Sequence, residues 1–222
     1  GKTKGGAECG KMVAEGQEVY VYAEHTKDLD VVGAPKNSLC EDAETPTSLS
    51  AKSVDAGAAY EFAIWPKAAH NLVKATKAKS REERTLQWEA EETEALKAKI
   101  NEIKSKAAKG EFRPWQKAEL DLDGDGKNEV FYAVVVAHPT DPDQNLFAGV
   151  LMAPGGDMAA LTLVDQATRH ADVMTLSGAV DLDGDGTFDP WTTLTFDGGS
   201  GDRVVQMVDG KAKPLSKFSC GV

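Results

Sequence analysis

The chain has 222 residues, 41% of them hydrophobic, and a formal net charge of −11 from 25 basic against 36 acidic side chains. That is enough apolar material for one large or two small cored domains, which excludes a disordered tail. The acidic field repels nucleic acid and anionic lipid and favours cations, and the longest apolar run, the eight residues Val130 to Ala137, is far short of the ~20 that span a bilayer.

The opening "GKTKGG" carries no signal-peptide pattern and reads as a processed start, compatible with export. Residues 1–66 read as an N-terminal β segment: "EVYVYA" at 18–23 alternates and is rich in β-branched and aromatic residues, with weaker strand texture in "LDVVGAP" and "AAYEFAIW". Cys9, Cys40 and Cys220 form no zinc spacing. They are either ordinary thiols or one disulfide plus an odd thiol, with Cys9–Cys40 the local pairing and Cys220 the pairing that would tie the ends.

From Pro66 the texture changes. Residues 67–109 are dominated by Ala, Lys and Glu, lack Gly and Pro, and contain Ser80 followed by Glu83 in capping-box spacing. Two helices are expected, at 67–79 and 81–109. In the second, Thr93, Leu96, Ile100, Ile103 and Ala107 form a narrow apolar stripe on a charged cylinder, suited to packing on a sheet, with a short coiled-coil dimer as the alternative.

Residues 110–222 form the last region, with strands expected at 114–121, 129–137, 146–153, 159–166, 172–181, 189–197, 202–209 and 211–218. "PGGDM", "DGGSGD" and "VDGK" supply the turn residues, and Asp209-Gly210 is a strong hairpin signal. Grouped in fours, these strands make two antiparallel meanders that repeat at sixty residues. The expected fold is therefore β-rich α+β, with two four-stranded meanders that resemble propeller blades but do not close a propeller.

Between the first and second strand of each meander stands an acidic nonapeptide, "DLDGDGKNE" at 121–129 and "DLDGDGTFD" at 181–189. Carboxylates at positions 1, 3 and 5 converge if the chain curls, and Gly at 4 and 6 permits positive φ. Oxygen donors on such a loop suit Ca²⁺, and Mg²⁺ less well because it demands a tighter octahedron. The candidate ligands are Asp121, Asp123, Asp125, the carbonyl of Lys127 and Glu129, then Asp181, Asp183, Asp185, the carbonyl of Thr187 and Asp189, with water completing each shell. An EF-hand would need a bidentate Glu at position 12 and flanking helices; position 12 is Tyr132 or Thr192 and the flanks read as strands.

The stretches "AELDLDGDGKNEVFYAVVVA" and "GAVDLDGDGTFDPWTTLTFD" resemble the calcium loops of FG-GAP or VCBS-type repeats. The resemblance covers about residues 110–222 and implies a calcium loop in a β-hairpin, with the acid at position 9 taking the role of the distal Glu of an EF-hand. Neither loop is followed by Gly-Ala-Pro, Pro190 opens the second strand of the second unit, and two units are too few for a closed propeller of ~4–8 blades.

A third cluster, "DPDQN" at 141–145, repeats the oxygen spacing without Gly and reads as a polar hairpin loop. His25, His70, His138 and His170 fall in no metal or catalytic spacing, and "GGSGD" at 198–202 fails the nucleophile-elbow pattern and suits a turn. Trp115 and Trp191, near the loops, are expected in the core, with ligand stacking as the second reading; Tyr20 and Tyr22 share one face of the first strand. With no catalytic residue to name, the sequence points to an extracytoplasmic calcium-binding protein, secreted, periplasmic or surface-tethered, with structural ions and a surface for protein or glycan contacts. The alternative is a secreted hydrolase or glycan-binding accessory domain on a calcium-stabilised scaffold.

Overall fold

The computed structural model describes residues 88–221 except 142 and 182–184, with side chains as far as 215, together with short strands earlier in the chain. Those are β1 (Glu18–Ala23), β2 (Lys27–Asp30), β3 (Tyr60–Ile64), β4 (Lys74–Lys77) and β5 (Lys79–Arg81). One helix, α1 (Ala90–Ile103), and eight strands follow: β6 (Glu111–Leu120), β7 (Glu129–Ala137), β8 (Asn145–Ala153), β9 (Thr162–Gln166), β10 (Val173–Asp181), β11 (Asp189–Phe196), β12 (Gly199–Val208) and β13 (Lys211–Gly221). Cys9 and Cys40, and the side chain of Cys220, lie outside the described residues.

The chain divides into two compact units, one of residues 1–74, 182–184 and 218–222, the other of 75–181 and 185–217. The first contains the antiparallel sheet β2-β1-β3. In the second, the two expected meanders are present as β6-β7-β8-β9 and β10-β11-β12-β13, each lengthened to five strands by a short strand on its first member, β5 on β6 and β4 on β10.

That arrangement corrects the expectation of helix at 67–79 and of a second helix starting at 81. Residues 74–77 and 79–81 have helical composition, but they pair with the open edges of the two first strands, as in Lys79↔Glu119 and Arg81↔Lys117. An unpaired edge offers a row of backbone donors and acceptors, and satisfying it outweighs an intrinsic helix preference of a few tenths of a kcal/mol, roughly, per residue. The helix begins instead where Glu89 N–H donates to Glu92 Oε2 at 3.1 Å, with Glu91 and Glu92 in the first turn favouring the positive end of the helix dipole. It ends at Lys104, whose N–H donates to Ile100 O, and a 3₁₀ turn covers Ser105–Lys109.

The apolar stripe packs on the sheet. Leu96, Ile100 and Ala107 are buried in one cluster with Tyr132, Val134 and Val136 of β7 and Phe147 and Leu151 of β8. The opposite face of the same strands places Phe131, Ala133, Val150 and Met152 in a second cluster with Met174, Leu176, Leu194 and Val205 of the other sheet. The layers therefore run helix, sheet, sheet. With both faces of β7 covered, every residue from 131 to 137 is buried, which is why that strand is a continuous apolar run and not an alternating one.

Polar contacts also join the layers. Buried Gln116 donates from Nε2 to Leu176 O at 2.8 Å and accepts at Oε1 from Leu176 N at 2.7 Å. Leu176 stands sixty residues after Gln116, the repeat spacing itself, so equivalent points of the two first strands are adjacent. Asp165 on β9 accepts from Arg203 at 3.0 Å and from Thr192 at 2.8 Å on the facing sheet.

Glu92 fastens α1 to β6 and β7, accepting at Oε1 from Lys117 Nζ at 2.6 Å and Tyr132 OH at 2.7 Å. Burial by itself would raise the Glu92 carboxyl, but the hydrogen bonds from Lys117, Tyr132 and the Glu89 backbone hold it below its ordinary value of 4.5. Burial, together with the adjacent Glu92 carboxylate, pushes the Tyr132 phenol up. Because the folded-state value of Glu92 is depressed, its contribution is present above 4.5 and lost as pH falls through the folded value. Stability measured by urea melts on both sides of that pH is expected to fall more steeply on acidification in the wild type than in Glu92→Gln; parallel curves would contradict this linkage.

The β8–β9 register depends on Gly149, where a Cβ would come 2.8 Å from both Asp165 O and the Phe147 ring. Gly149→Ala is expected to cost about 1–3 kcal/mol, read by thermal or urea unfolding, because a backbone carbonyl and not a flexible chain end has to yield. Elsewhere the turns match their residue types: Asp209 and Gly210 both adopt positive φ, the pattern of a two-residue primed hairpin. The turn expected over 198–202 is confined to Asp197-Gly198, and β12 begins at Gly199.

Candidate metal centre

Each nonapeptide connects the first and second strand of its meander. Asp121 immediately follows β6 and Glu129 opens β7; Asp181 closes β10 and Asp189 opens β11. In the first loop Gly124 and Gly126 have φ of 77° and 84°, so the chain curls back on Asp121. That carboxylate accepts from Gly124 N at 2.8 Å and Gly126 N at 3.0 Å. Asp123 accepts from Asp125 N at 3.1 Å and Asp125 from Lys127 N at 2.7 Å.

The curl brings one carboxylate oxygen each from Asp121, Asp123 and Asp125 within 4.8 Å of one another. Two ligands of a single Ca²⁺ can be no farther apart than twice the metal–oxygen distance, ~5 Å, so this triad fits one such ion. Among the described residues no Lys or Arg forms an ion pair with any of the three. Like charges at this separation repel by about 1 kcal/mol per pair in bulk water and several times that near a low-dielectric surface, a cost that a divalent cation reverses.

Glu129, the expected fourth carboxylate, is not in that convergent group. Its Oε2 accepts from Leu122 N at 2.8 Å and its Oε1 from Gly155 N at 3.4 Å. Lys127 is exposed at the loop tip.

The second loop repeats this pattern where it is described. Gly186 N donates to Asp181 Oδ2 at 3.0 Å and Thr187 N to Asp185 Oδ1 at 2.7 Å, against 3.0 and 2.7 Å at the equivalent bonds of the first loop. Gly186 has φ of 91°. Asp181 and Asp189 are buried, at 1% and 6% exposure, while Asp185 and Thr187 are exposed. Asp183 lies outside the described residues.

Two residues outside the ligand sets also shape the site. Leu122, inside the acidic run, is buried in the core between the sheets, and Leu122 O accepts from Phe188 N at 2.7 Å. The two loops therefore touch. The burial of Leu122 had a signal in the sequence, an apolar residue inside an acidic run that a solvated turn does not need; its contact with Phe188 had none.

The remaining expectations resolve simply. "DPDQN" is part of a polar hairpin loop, closed by His138 N donating to Gln144 O and by Asp141 accepting from Asp143 N and Gln144 Nε2. Trp191 is buried and donates its indole N–H to Asp202 at 3.1 Å, but Trp115, expected in the core, is among the exposed large hydrophobic residues. It stands at the bulge between Pro114 and Gln116, where the alternation of faces is broken. A cavity of about 250 Å³ between α1, the 3₁₀ turn and β6–β7 has Lys97 as its one titratable lining residue. No helix among the described residues is long and apolar enough to cross a membrane.

Comparison with family models, with curated proteins and with solved structures returns no match.

Proposed function

We propose that this is an extracytoplasmic calcium-binding protein in which two Ca²⁺ ions close the first hairpin of each β-meander, with its surface serving contacts with protein or glycan. The observation that carries the reading is the matching geometry of two loops sixty residues apart. In each, the first Asp accepts from the sixth residue and the fifth position accepts from the seventh, at the same distances. In the loop whose three central acids are all described, their oxygens converge. Solvated turns have no reason to repeat the same N–H-to-carboxylate curl twice in one frame.

Asp121, Asp123, Asp125, Glu129 and the Lys127 carbonyl would hold the first ion. Asp181, Asp183, Asp185, Asp189 and the Thr187 carbonyl would hold the second. The ion would neutralise repelling carboxylates and tie the end of one strand to the start of the next, a structural role. Millimolar external calcium fills weak sites of this kind that resting cytosol leaves empty, which is the argument for an extracytoplasmic location.

Calorimetric titration of the intact chain with CaCl₂ tests the proposal. Two ions per chain are expected, and one for the variant Asp123→Asn/Asp125→Asn. Absence of calcium binding by the wild type overturns it.

A further inference from the structure

We infer that the cavity between α1, the 3₁₀ turn and β6–β7 binds a small amphiphilic anion, a carboxylate carried on a compact alkyl or aryl body. Its volume, about 250 Å³, equals that of roughly eight waters at ~30 Å³ each, which suits a ligand of about eight to ten non-hydrogen atoms. The lining is mixed in character. Among the described residues, Ile100, Ala107 and Val136 line it as buried apolar groups and the Phe112 ring as a half-buried one. Lys97 and Asn101 are its polar side chains, and residues four apart on a helix share one face.

Both polar groups have capacity for a carboxylate. The Asn101 amide forms no hydrogen bond among the described residues, so its two N–H donors are uncommitted. The Lys97 ammonium stands 5.7 Å from the centre of the Phe112 ring, at the junction of the polar and apolar lining. Its partner Glu94, at 2.9 Å, belongs to a pair whose side chains are 43% and 74% exposed. An ion pair that open to water is weak, so an incoming carboxylate can share the ammonium or replace Glu94 on it.

The surrounding charge selects the sign of the ligand. Residues 97–113 carry six basic side chains against two acidic ones, in a chain whose net charge is −11. Lys104, Lys106 and Lys109 form no ion pair among the described residues. Lys106 and Lys109 are exposed on the 3₁₀ turn that supplies Ala107 to the lining, and side chains three apart on such a turn eclipse one another. An anion is therefore drawn to this part of the molecule and repelled by the acidic remainder.

The test uses the intact chain and three probes, isovalerate, benzoate and cyclohexanecarboxylate, titrated while the backbone amides are followed by NMR. At least one is expected to shift the amides of residues 97–112 and 136 saturably, and to bind about five-fold or more tightly than its neutral amide or acetate. Lys97→Met keeps the apolar stem and is expected to lose about five-fold or more. Lys99→Met is the control, since Lys99 pairs with Glu102 and does not line the cavity; it should bind as the wild type does. Ala108→Phe places a ring at an exposed lining position and should block binding without disturbing the core. The inference is overturned if none of the three carboxylates moves these amides, if the neutral amides bind as tightly, if Ala108→Phe binds unchanged, or if Lys97→Met loses no more than Lys99→Met. None of these outcomes bears on the calcium reading, because no proposed metal ligand lines the cavity.

Discussion

Chelating calcium is expected to lower the melting temperature of this protein by roughly 10–20 °C. An ion held at 100 times its dissociation constant stabilises the folded state by ~2.7 kcal/mol, so two sites contribute about 5 kcal/mol, and in a chain of this size each kcal/mol moves the melting temperature by ~2–4 °C. The effect should be large because backbone N–H groups supply the described hydrogen bonds to the three clustered carboxylates, and a divalent cation would offset their mutual repulsion. Three carboxylates lie within 4.8 Å of one another without a basic partner among the described residues. Calorimetry in EGTA against excess calcium reads the shift, and Asp123→Asn/Asp125→Asn should abolish about half of it or more. Identical melting temperatures in the two buffers would sink the proposal that the ions are structural.

The second large effect is expected at Gln116, far from any ligand. Its amide satisfies both the N–H and the C=O of Leu176, and both residues are buried, at 6% and 2% exposure. Gln116→Ala leaves two backbone groups without a partner inside the protein, at ~1–3 kcal/mol each, so a loss of about 2–6 kcal/mol is expected. Urea unfolding should show a lower midpoint with little change in slope. Gln116→Glu separates the two bonds. An ionised Glu can still accept from Leu176 N but turns a second acceptor toward Leu176 O, so this variant should be more impaired at neutral pH than in mild acid. A Gln116→Ala variant as stable as the wild type would mean that the Gln116 bridge adds nothing net to the hold between the two meanders.

The strands of the meanders were largely readable because their signals are local. Alternation, β-branched residues and Gly- or Asp-centred turns located all eight to within a few residues, and Asp209-Gly210 supplied its hairpin. The helix stripe of Leu96 and Ile100 was readable for the same reason, its period being set within a few turns of chain. What failed was Ser80 with Glu83 as a helix start: that spacing is necessary for a capping box but not sufficient, and residues 79–81 had an open strand edge to join. Trp115 failed as a core residue because a one-residue bulge reverses the faces of a strand; the signal was the neighbouring Pro114, a residue that sheets accept at edges and bulges.

At the candidate site the division is the same. The acids at positions 1, 3, 5 and 9 and the glycines at 4 and 6 belong to one nine-residue segment, so their spacing alone predicts a curl with carboxylates inside it. By itself, then, the sequence determined the two meanders, the apolar face of the helix and the curl of the first acidic loop, all of which depend on residues close together in the chain. The tertiary structure alone decided that residues 74–77 and 79–81 complete two sheet edges, that Gln116 bridges to its own repeat equivalent, and that Leu122 and Phe188 join the loops. Those contacts depend on which faces are buried together. That choice belongs to the free energy of the whole core, and no local pattern encodes it.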